Sequence, residues 1–156
     1  LLHDDSGLLK GALEFSDKNV ADVMVRRDDL VTIEQTATPE EVEALIGRTG
    51  FSRFIVTDRD GSPDSYLHIK DLLYADTEET HRAPIQARRF RSMTSVAADA
   101  EIEDALQEMQ NAGSHVARVL DGSGTAVGVI FLEDILEELV GEVDDTMQRN
   151  ARHFRS

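Results

Sequence analysis

Two aspartates, Asp71 and Asp134, occupy the same kind of position, between an apolar β-prone run and a segment with helical spacing. A carboxylate at such a junction accepts hydrogen bonds. It can therefore bind the two hydroxyls of a ribose while the start of the helix faces a phosphate. The same carboxylate can instead cap its own helix, which is a common role for aspartate. The residues alone leave both roles open.

The two junctions belong to an internal repeat with an offset of 63 residues. Residues 31–73 align with residues 94–136 without a gap, and eight of the 43 positions are identical. The identities fall at a helix start, a helix-ending glycine, a turn and the closing aspartate. They are Ala37/Ala100, Glu40/Glu103, Gly50/Gly113, Val56/Val119, Asp58/Asp121, Gly61/Gly124, Asp71/Asp134 and Leu73/Leu136. Such a duplication predicts two copies of one structural unit.

Each copy has the pattern strand, helix, strand, turn, strand, helix. In the first copy, Thr38 is a typical N-cap and Gly50 can end the helix that follows. The expected strands are at 30–33, 54–56 and 66–69, with a second helix beginning at Asp71. In the second copy we expect strands at 116–120 and 127–132, and a last helix over 133–141.

A single copy is too small to cover the apolar face of its own sheet, so we expect the two copies to pack together. The predicted fold class is α/β (α+β), with two β-α-β-β-α repeats packed as a pseudo-twofold tandem pair. The predicted parts are an N-terminal helix or linker at 1–19, the first repeat at 20–74, a linker at 75–92, the second repeat at 93–143 and a polar tail at 144–156. The linker carries a basic cluster of Arg82, Arg88, Arg89 and Arg91.

The composition argues against several classes of function. The 156 residues include 31 acidic and 16 basic side chains, a net charge of −15 that repels nucleic acids and anionic lipid surfaces. There is no cysteine, which fits a reducing compartment. The five histidines lack the spacing of metal ligands, and no catalytic motif is recognisable. We therefore predict no enzyme activity, no metal site and no nucleic-acid partner.

Apolar runs are also far shorter than the roughly 20 residues of a membrane helix, so we expect the chain itself to be soluble. The chain begins with Leu1 rather than methionine. We therefore expect it to be part of a longer protein.

Several segments resemble tandem cystathionine-β-synthase-type (CBS) domains, and in particular the CorC, haemolysin-C-like and cyclin-M group of membrane magnesium-transport proteins. The resemblance covers about residues 15–142. Its most specific part is LEDILEELVGE at residues 132–142. Further parts are FSD at 15–17, VADVMV at 20–25 with Arg27, SRF at 52–54 and HIKDLL at 68–73.

The resemblance implies a regulatory module on the cytoplasmic side of the cell membrane, within a larger protein that also has a membrane domain. Modules of this group pair into flat homodimers and often bind AMP, ADP or ATP, with Mg²⁺, in the cleft between the repeats. No cofactor is required. A ligand-free dimerisation or scaffold module is the alternative that we keep open.

The ribose-phosphate pattern of the family is a glycine, two apolar residues, Ser or Thr, two further residues and Asp. The first repeat has His68 at the hydroxyl position before Asp71, and the second has Phe131 before Asp134. Because a benzyl ring cannot donate a hydrogen bond to phosphate, we expect altered or weakened binding at the second junction. The ring could contact adenine instead.

Arginines are the remaining candidates for phosphate, because a guanidinium can bind two oxygens at once. Arg53 and Arg27 fit this role, although a surface ion pair explains each equally well. With the resemblance, the residues assigned to ligand binding are Asp134, Phe131, Ile130, Arg53, Ser52, Arg27, Asp71 and His68.

Overall fold

A computed structural model describes residues 17–155, and beyond Gly141 it describes the side chains of Val143, Asp144 and Met147 only. The chain forms two compact units. One is Arg26–Met93, called here the first unit; the other joins residues up to Val25 with residues from Thr94 onward and is called the second unit. Most of the predicted N-terminal segment at 1–19 lies outside the described residues.

The first unit holds a four-stranded sheet in the order β2-β3-β4-β5. Strand β2 runs parallel to β3, whereas β3 and β4 form an antiparallel hairpin and β5 pairs antiparallel with β4. The strands are β2 (Thr32–Glu34), β3 (Arg53–Thr57), β4 (Pro63–His68) and β5 (Arg91–Ser92). The helices of this unit are α2 (Pro39–Thr49) and α3 (Glu78–Arg82), with 3-10 helices at Arg27–Asp29, Ile69–Leu72 and Ala87–Arg89.

The second unit holds a sheet in the order β1-β8-β7-β6. Its parallel pair and antiparallel hairpin correspond to those of the first unit. The strands are β1 (Val25–Arg26), β6 (Thr94–Ala97), β7 (Val116–Leu120) and β8 (Ala126–Phe131). The helices are α1 (Val20–Val23), α4 (Ile102–Ala112) and α5 (Leu132–Arg155).

The duplication is visible in details of the backbone. Gly50 and Gly113, which are 63 residues apart, both end a helix in the left-handed conformation, with φ of 71° and 63°. The register shifts of the two hairpins, at Val56/Thr57 and Val119/Leu120, are also 63 residues apart. The mixed architecture confirms the predicted α/β (α+β) class.

Each unit has its own apolar core. In the first unit, Phe54 and Leu67 of the hairpin and Val42 of α2 are fully buried. In the second unit, Ile130 and Ile135 are fully buried beside Val20 from α1. Residues 20–25, which the sequence places in the first repeat, thus contribute to the second unit in the structure.

The structure differs from the expected elements in two places. The helix expected at Asp71 is a single 3-10 turn, and α3 begins separately after its own N-cap, Thr77. The last helix does not end at Gly141 but continues as α5 to Arg155. Gly141 does not have the left-handed φ that ends α2 and α4, and apolar residues continue at helical spacing with Val143 and Met147.

Candidate functional site

The two junctions have the same backbone frame. At the first, the Ile69 N–H donates to the Ser52 carbonyl at 2.9 Å, and at the second the Leu132 N–H donates to the His115 carbonyl at 2.9 Å. Both bonds join the start of the helical turn to the segment just before the neighbouring strand. The same frame therefore presents Asp71 in one unit and Asp134 in the other, each in the first helical turn.

Both oxygens of the Asp71 carboxylate have hydrogen-bond partners within its own unit. The Arg91 guanidinium donates to both oxygens, from Nε to Oδ2 at 2.9 Å and from Nη2 to Oδ1 at 2.8 Å. The His68 N–H also donates to Oδ2, at 2.9 Å. Although burial opposes the shift, the hydrogen bonds from Arg91 and His68 and the charge of Arg91 lower the pKa of Asp71. In this structure Asp71 therefore caps its own helical turn.

His68 lies among cations. It stands directly opposite Arg53 in the β3–β4 register, and its Nδ1 accepts from the Lys70 N–H at 3.1 Å. Burial lowers the pKa of His68, and the charges of Arg53, Arg91 and Lys70 lower it further. The imidazole is therefore neutral at physiological pH, with Nδ1 as the acceptor. This leaves Nε2 as its N–H donor.

We expect Arg91→Gln to lower the melting temperature at neutral pH and to have little effect in acid. The pKa of Asp71 in the folded state lies below its unfolded value of about 3.9. The pair therefore stabilises the fold above that pH, and this stabilisation is lost as the pH falls through the folded-state pKa. A bidentate, partly exposed pair contributes about 1 kcal/mol, or about 2–4 °C in a protein of this size.

Thermal unfolding at neutral pH and at about pH 2–3 measures this difference. Arg88→Gln is the matched control, because the Nε of Arg88 donates only to Gln86 in the same segment. Equal melting temperatures for Arg91→Gln and Arg88→Gln at neutral pH would contradict the role given to the pair.

Asp134 lacks the partners that Asp71 has. Among the residues and side chains that the structure describes, none forms a hydrogen bond or ion pair with its partly buried carboxylate. Burial raises the pKa of Asp134, and the charges of Glu137 and Glu133 raise it further. A desolvated carboxylate without a partner at a helix start favours an external group that donates hydrogen bonds. Of the two predicted ligand carboxylates, only this one remains available.

The neighbours of Asp134 differ in their access to a ligand. Phe131 ends β8 and is partly exposed, so its ring can reach a bound molecule. Ile130 is fully buried in the core of the second unit, and its side chain therefore serves packing. The assignment of Phe131 to ligand binding stays a prediction.

The structure separates the predicted residues of the first unit into two places. Ser52 and Arg53 begin β3, at the end of the sheet where β4 reaches His68 and Asp71. Arg27 lies at the other end, where its Nη2 donates at 3.2 Å to the Asp60 carbonyl in the β3–β4 turn. Arg27 therefore does not belong to the Asp71 junction.

Arg91, which pairs with Asp71 at the first junction, was not among the residues predicted to bind a ligand. A signal was present, since residues 80–98 hold four arginines and no acidic residue in a chain with 31 acids. A basic run beside an acidic surface indicates intramolecular ion pairs. The pairing of Arg91 with Asp71, 20 residues away, depends on β5, which has only two residues.

Across residues 17–155 the structure contains no cluster of three or more acidic or histidine side chains arranged to hold a metal ion. In the same residues, no helix has the combined length and apolar character needed to cross a membrane.

Comparison with known proteins places these junctions in a family context. A model of the CBS domain matches residues 20–78 and 89–141. Hemolysin C of Rickettsia prowazekii is 32% identical over 158 residues, covering 97% of this chain and 51% of that protein. The magnesium and cobalt efflux protein CorC of Vibrio cholerae is 31% identical over 146 residues, covering 92% and 49%. The chain thus spans about half the length of the curated relatives that it matches.

Comparison with solved structures also indicates similarity to CBS domains. The CBS domain of a bacterial CNNM/CorC family Mg²⁺ transporter in complex with ATP is 28% identical, with a TM-score of 0.76 over 88% of this chain and 98% of that one. The resemblance to tandem CBS domains of this group, inferred from the motifs, is confirmed.

Proposed function

The chain belongs to the CBS domain family, and on this basis we propose that it is the cytoplasmic regulatory module of a CorC-like membrane protein that transports magnesium or cobalt ions. Its regulatory ligand is an adenine nucleotide, and the Asp134 junction is the binding site. The observation that carries the proposal is the state of the two equivalent carboxylates. Both oxygens of Asp71 accept from internal partners, whereas Asp134 is partly buried and has none within the described residues.

The chemistry of a nucleotide matches the second junction. The two ribose hydroxyls donate to the carboxylate oxygens of Asp134, which can only accept when ionised. The first turn of α5 offers backbone N–H groups and the positive end of the helix dipole to a phosphate. The role is binding rather than catalysis.

Binding regulates transport only if the nucleotide prefers one arrangement of the module over another. We propose that bound nucleotide shifts the module toward the arrangement that it prefers. This shift is then transmitted to the membrane part of the full-length protein. Isothermal titration of the purified chain with ATP, ADP and AMP, each with and without Mg²⁺, tests the sensor role. Saturable binding of at least one nucleotide supports it, and no binding at millimolar ligand would remove it.

Phe131→Thr is expected to tighten nucleotide binding, because it restores the hydroxyl that the family pattern places before Asp134. One hydrogen bond to a charged phosphate contributes about 1.5–3 kcal/mol, or roughly ten- to hundredfold in affinity. The matched control is Phe131→Val, which has nearly the shape of threonine but no hydroxyl. If the Thr and Val variants bind ATP equally, the hydroxyl has no role at this site.

A scaffold module without a ligand is the second candidate, and Phe131 is the observation that favours it. In that case no adenine nucleotide raises the melting temperature of the chain. The sensor and scaffold roles are thus separated by the same titration, followed by thermal unfolding.

We also propose that the module forms a homodimer. Two leucines at equivalent positions, Leu73 and Leu136, are 79% and 44% exposed, just after the two junction aspartates. A homodimer interface that covers these leucines would remove their apolar surface from water. Light scattering of the purified chain decides between a monomer of 17.3 kDa and a dimer.

A further inference from the structure

The segment from Thr77 to Met93, called here the strap, is attached to the first unit along its length. Arg82 of α3 forms ion pairs with Glu40 and Glu78, at 3.5 and 3.3 Å. Ile85 is buried, and its N–H donates to the Ala37 carbonyl at 2.9 Å. From the sequence we predict a linker at 75–92. These contacts instead attach the region to the first unit.

The end of the strap is fixed most firmly. The Arg89 guanidinium stacks on the Tyr74 ring at 3.5 Å, and Phe90 packs against the core of the first unit. Strand β5 then pairs with β4, with Arg91 opposite Tyr66 and Ser92 opposite Ser65. This pairing brings the Arg91 guanidinium to the Asp71 carboxylate.

The Arg91 pair occupies the groups that a ligand would need. A ribose diol requires the two oxygens of Asp71 as acceptors, and both already accept from Arg91 in a fork geometry. The carboxylate is only 16% exposed, whereas Arg91 is 45% exposed. A ligand can therefore reach Asp71 only after the guanidinium has moved away.

In the second sheet, β1 holds the edge position next to β8 that β5 holds next to β4, and β1 also contains an arginine, Arg26. Among the described residues, Arg26 makes no hydrogen bond or ion pair with Asp134. The two repeats thus share the junction but differ in the segment that borders it.

From this arrangement we infer that Arg91 is an internal latch that keeps the Asp71 junction closed, so that the chain carries one open nucleotide site and one masked site. The masked site opens when the Arg91 end of the strap leaves Asp71. The statement that one site is open rests on the proposed function of Asp134. The latch itself rests only on the contacts between Arg91 and Asp71.

The test is the stoichiometry of ATP binding by isothermal titration. Wild-type chain binds one ATP per chain, and Arg91→Gln binds two. In an Asp134→Ala background, Arg91→Gln still binds one ATP, at least about tenfold tighter than Asp134→Ala alone. Adding Asp71→Asn to that double variant removes the remaining site. Arg88→Gln, a change of the same type in the same strap, leaves the wild-type stoichiometry unchanged.

The outcomes separate the two proposals. If wild type binds no ATP but Arg91→Gln with Asp134→Ala does, the latch stands and the Asp134 assignment fails. If that double variant is folded and binds no ATP, the latch is wrong. Arg91→Lys gives a second measurement, because lysine keeps the charge but cannot hold both oxygens in a fork. A second site weaker than in Arg91→Gln is expected, and a second site in the wild type would also overturn the latch.

Discussion

Asp134→Asn removes ATP binding, whereas Asp71→Asn leaves it nearly unchanged. The asparagine amide cannot accept two charge-assisted hydrogen bonds from a ribose diol, and each such bond contributes about 1.5–3 kcal/mol. The loss corresponds to about a hundredfold or more in dissociation constant. Isothermal titration of the two variants and the wild type measures it. Equal loss in both variants, or loss only in Asp71→Asn, would contradict the assignment of the open site.

Unfolding cannot explain this loss of binding, because the substitution does not harm the free protein. Burial and the charges of Glu137 and Glu133 raise the folded-state pKa of Asp134 above its unfolded value. Ionised Asp134 therefore costs stability at neutral pH, and its favourable contribution exists only in acid. Asp134→Asn is expected to melt at the same or a higher temperature than wild type without ligand. ATP then raises the melting temperature of the wild type only.

Gly128→Ala is expected to have the largest effect on stability. A Cβ at Gly128 would lie 2.3 Å from the Val25 carbonyl oxygen and 3.2 Å from the Met24 sulfur. The first contact is with a backbone atom, which cannot move away by a change of rotamer as a side chain can. Strand β1 must therefore move away from β8, at a cost of about 3 kcal/mol. For a chain of this size the melting temperature falls by about 6–12 °C.

Gly122→Ala is the matched control for this prediction. Gly122 lies in the β7–β8 turn of the same unit, has no heavy atom within 4 Å of an added Cβ and does not need a positive φ. Its replacement changes the melting temperature little. The equivalent of Gly128 in the first unit is Ser65, which already carries a Cβ. Similar melting temperatures for the two alanine variants would show that β1 does not approach β8 as closely as described.

The features that the sequence predicted correctly are those set by nearby residues. Thr38 caps α2 by accepting from the Glu41 N–H, and Gly50 ends that helix with a positive φ. The strands of both hairpins follow from apolar runs bounded by Asp-Gly turns. These signals act over three to five residues, so they could be interpreted without knowing the rest of the fold.

The features that could not be predicted from the sequence depend on contacts between residues that are far apart in the chain. Strands β1 and β5 have two residues each, too few for a periodic pattern, and they exist because β8 and β4 offer free edges. The role of Arg91 depends on β5. Asp71 and Asp134 therefore look equivalent in the sequence, although one is neutralised by an internal ion pair and the other is not.

The two junctions of the duplicated unit are therefore not equivalent, because the carboxylate of only one of them is paired with an arginine. Gene duplication supplies two carboxylates in one frame, and a single arginine in the strap makes them unequal. The proposed sensor thus responds through Asp134, while the Asp71 side contributes to the stability of the first unit.

The most direct measurement is a crystal structure of the chain grown with ATP and Mg²⁺. We predict nucleotide density at Asp134, with the ribose hydroxyls within hydrogen-bond distance of its carboxylate and Arg91 still paired with Asp71. Nucleotide density against Asp71 with the Arg91 pair broken, or an unoccupied Asp134 junction at saturating ATP, would contradict this account.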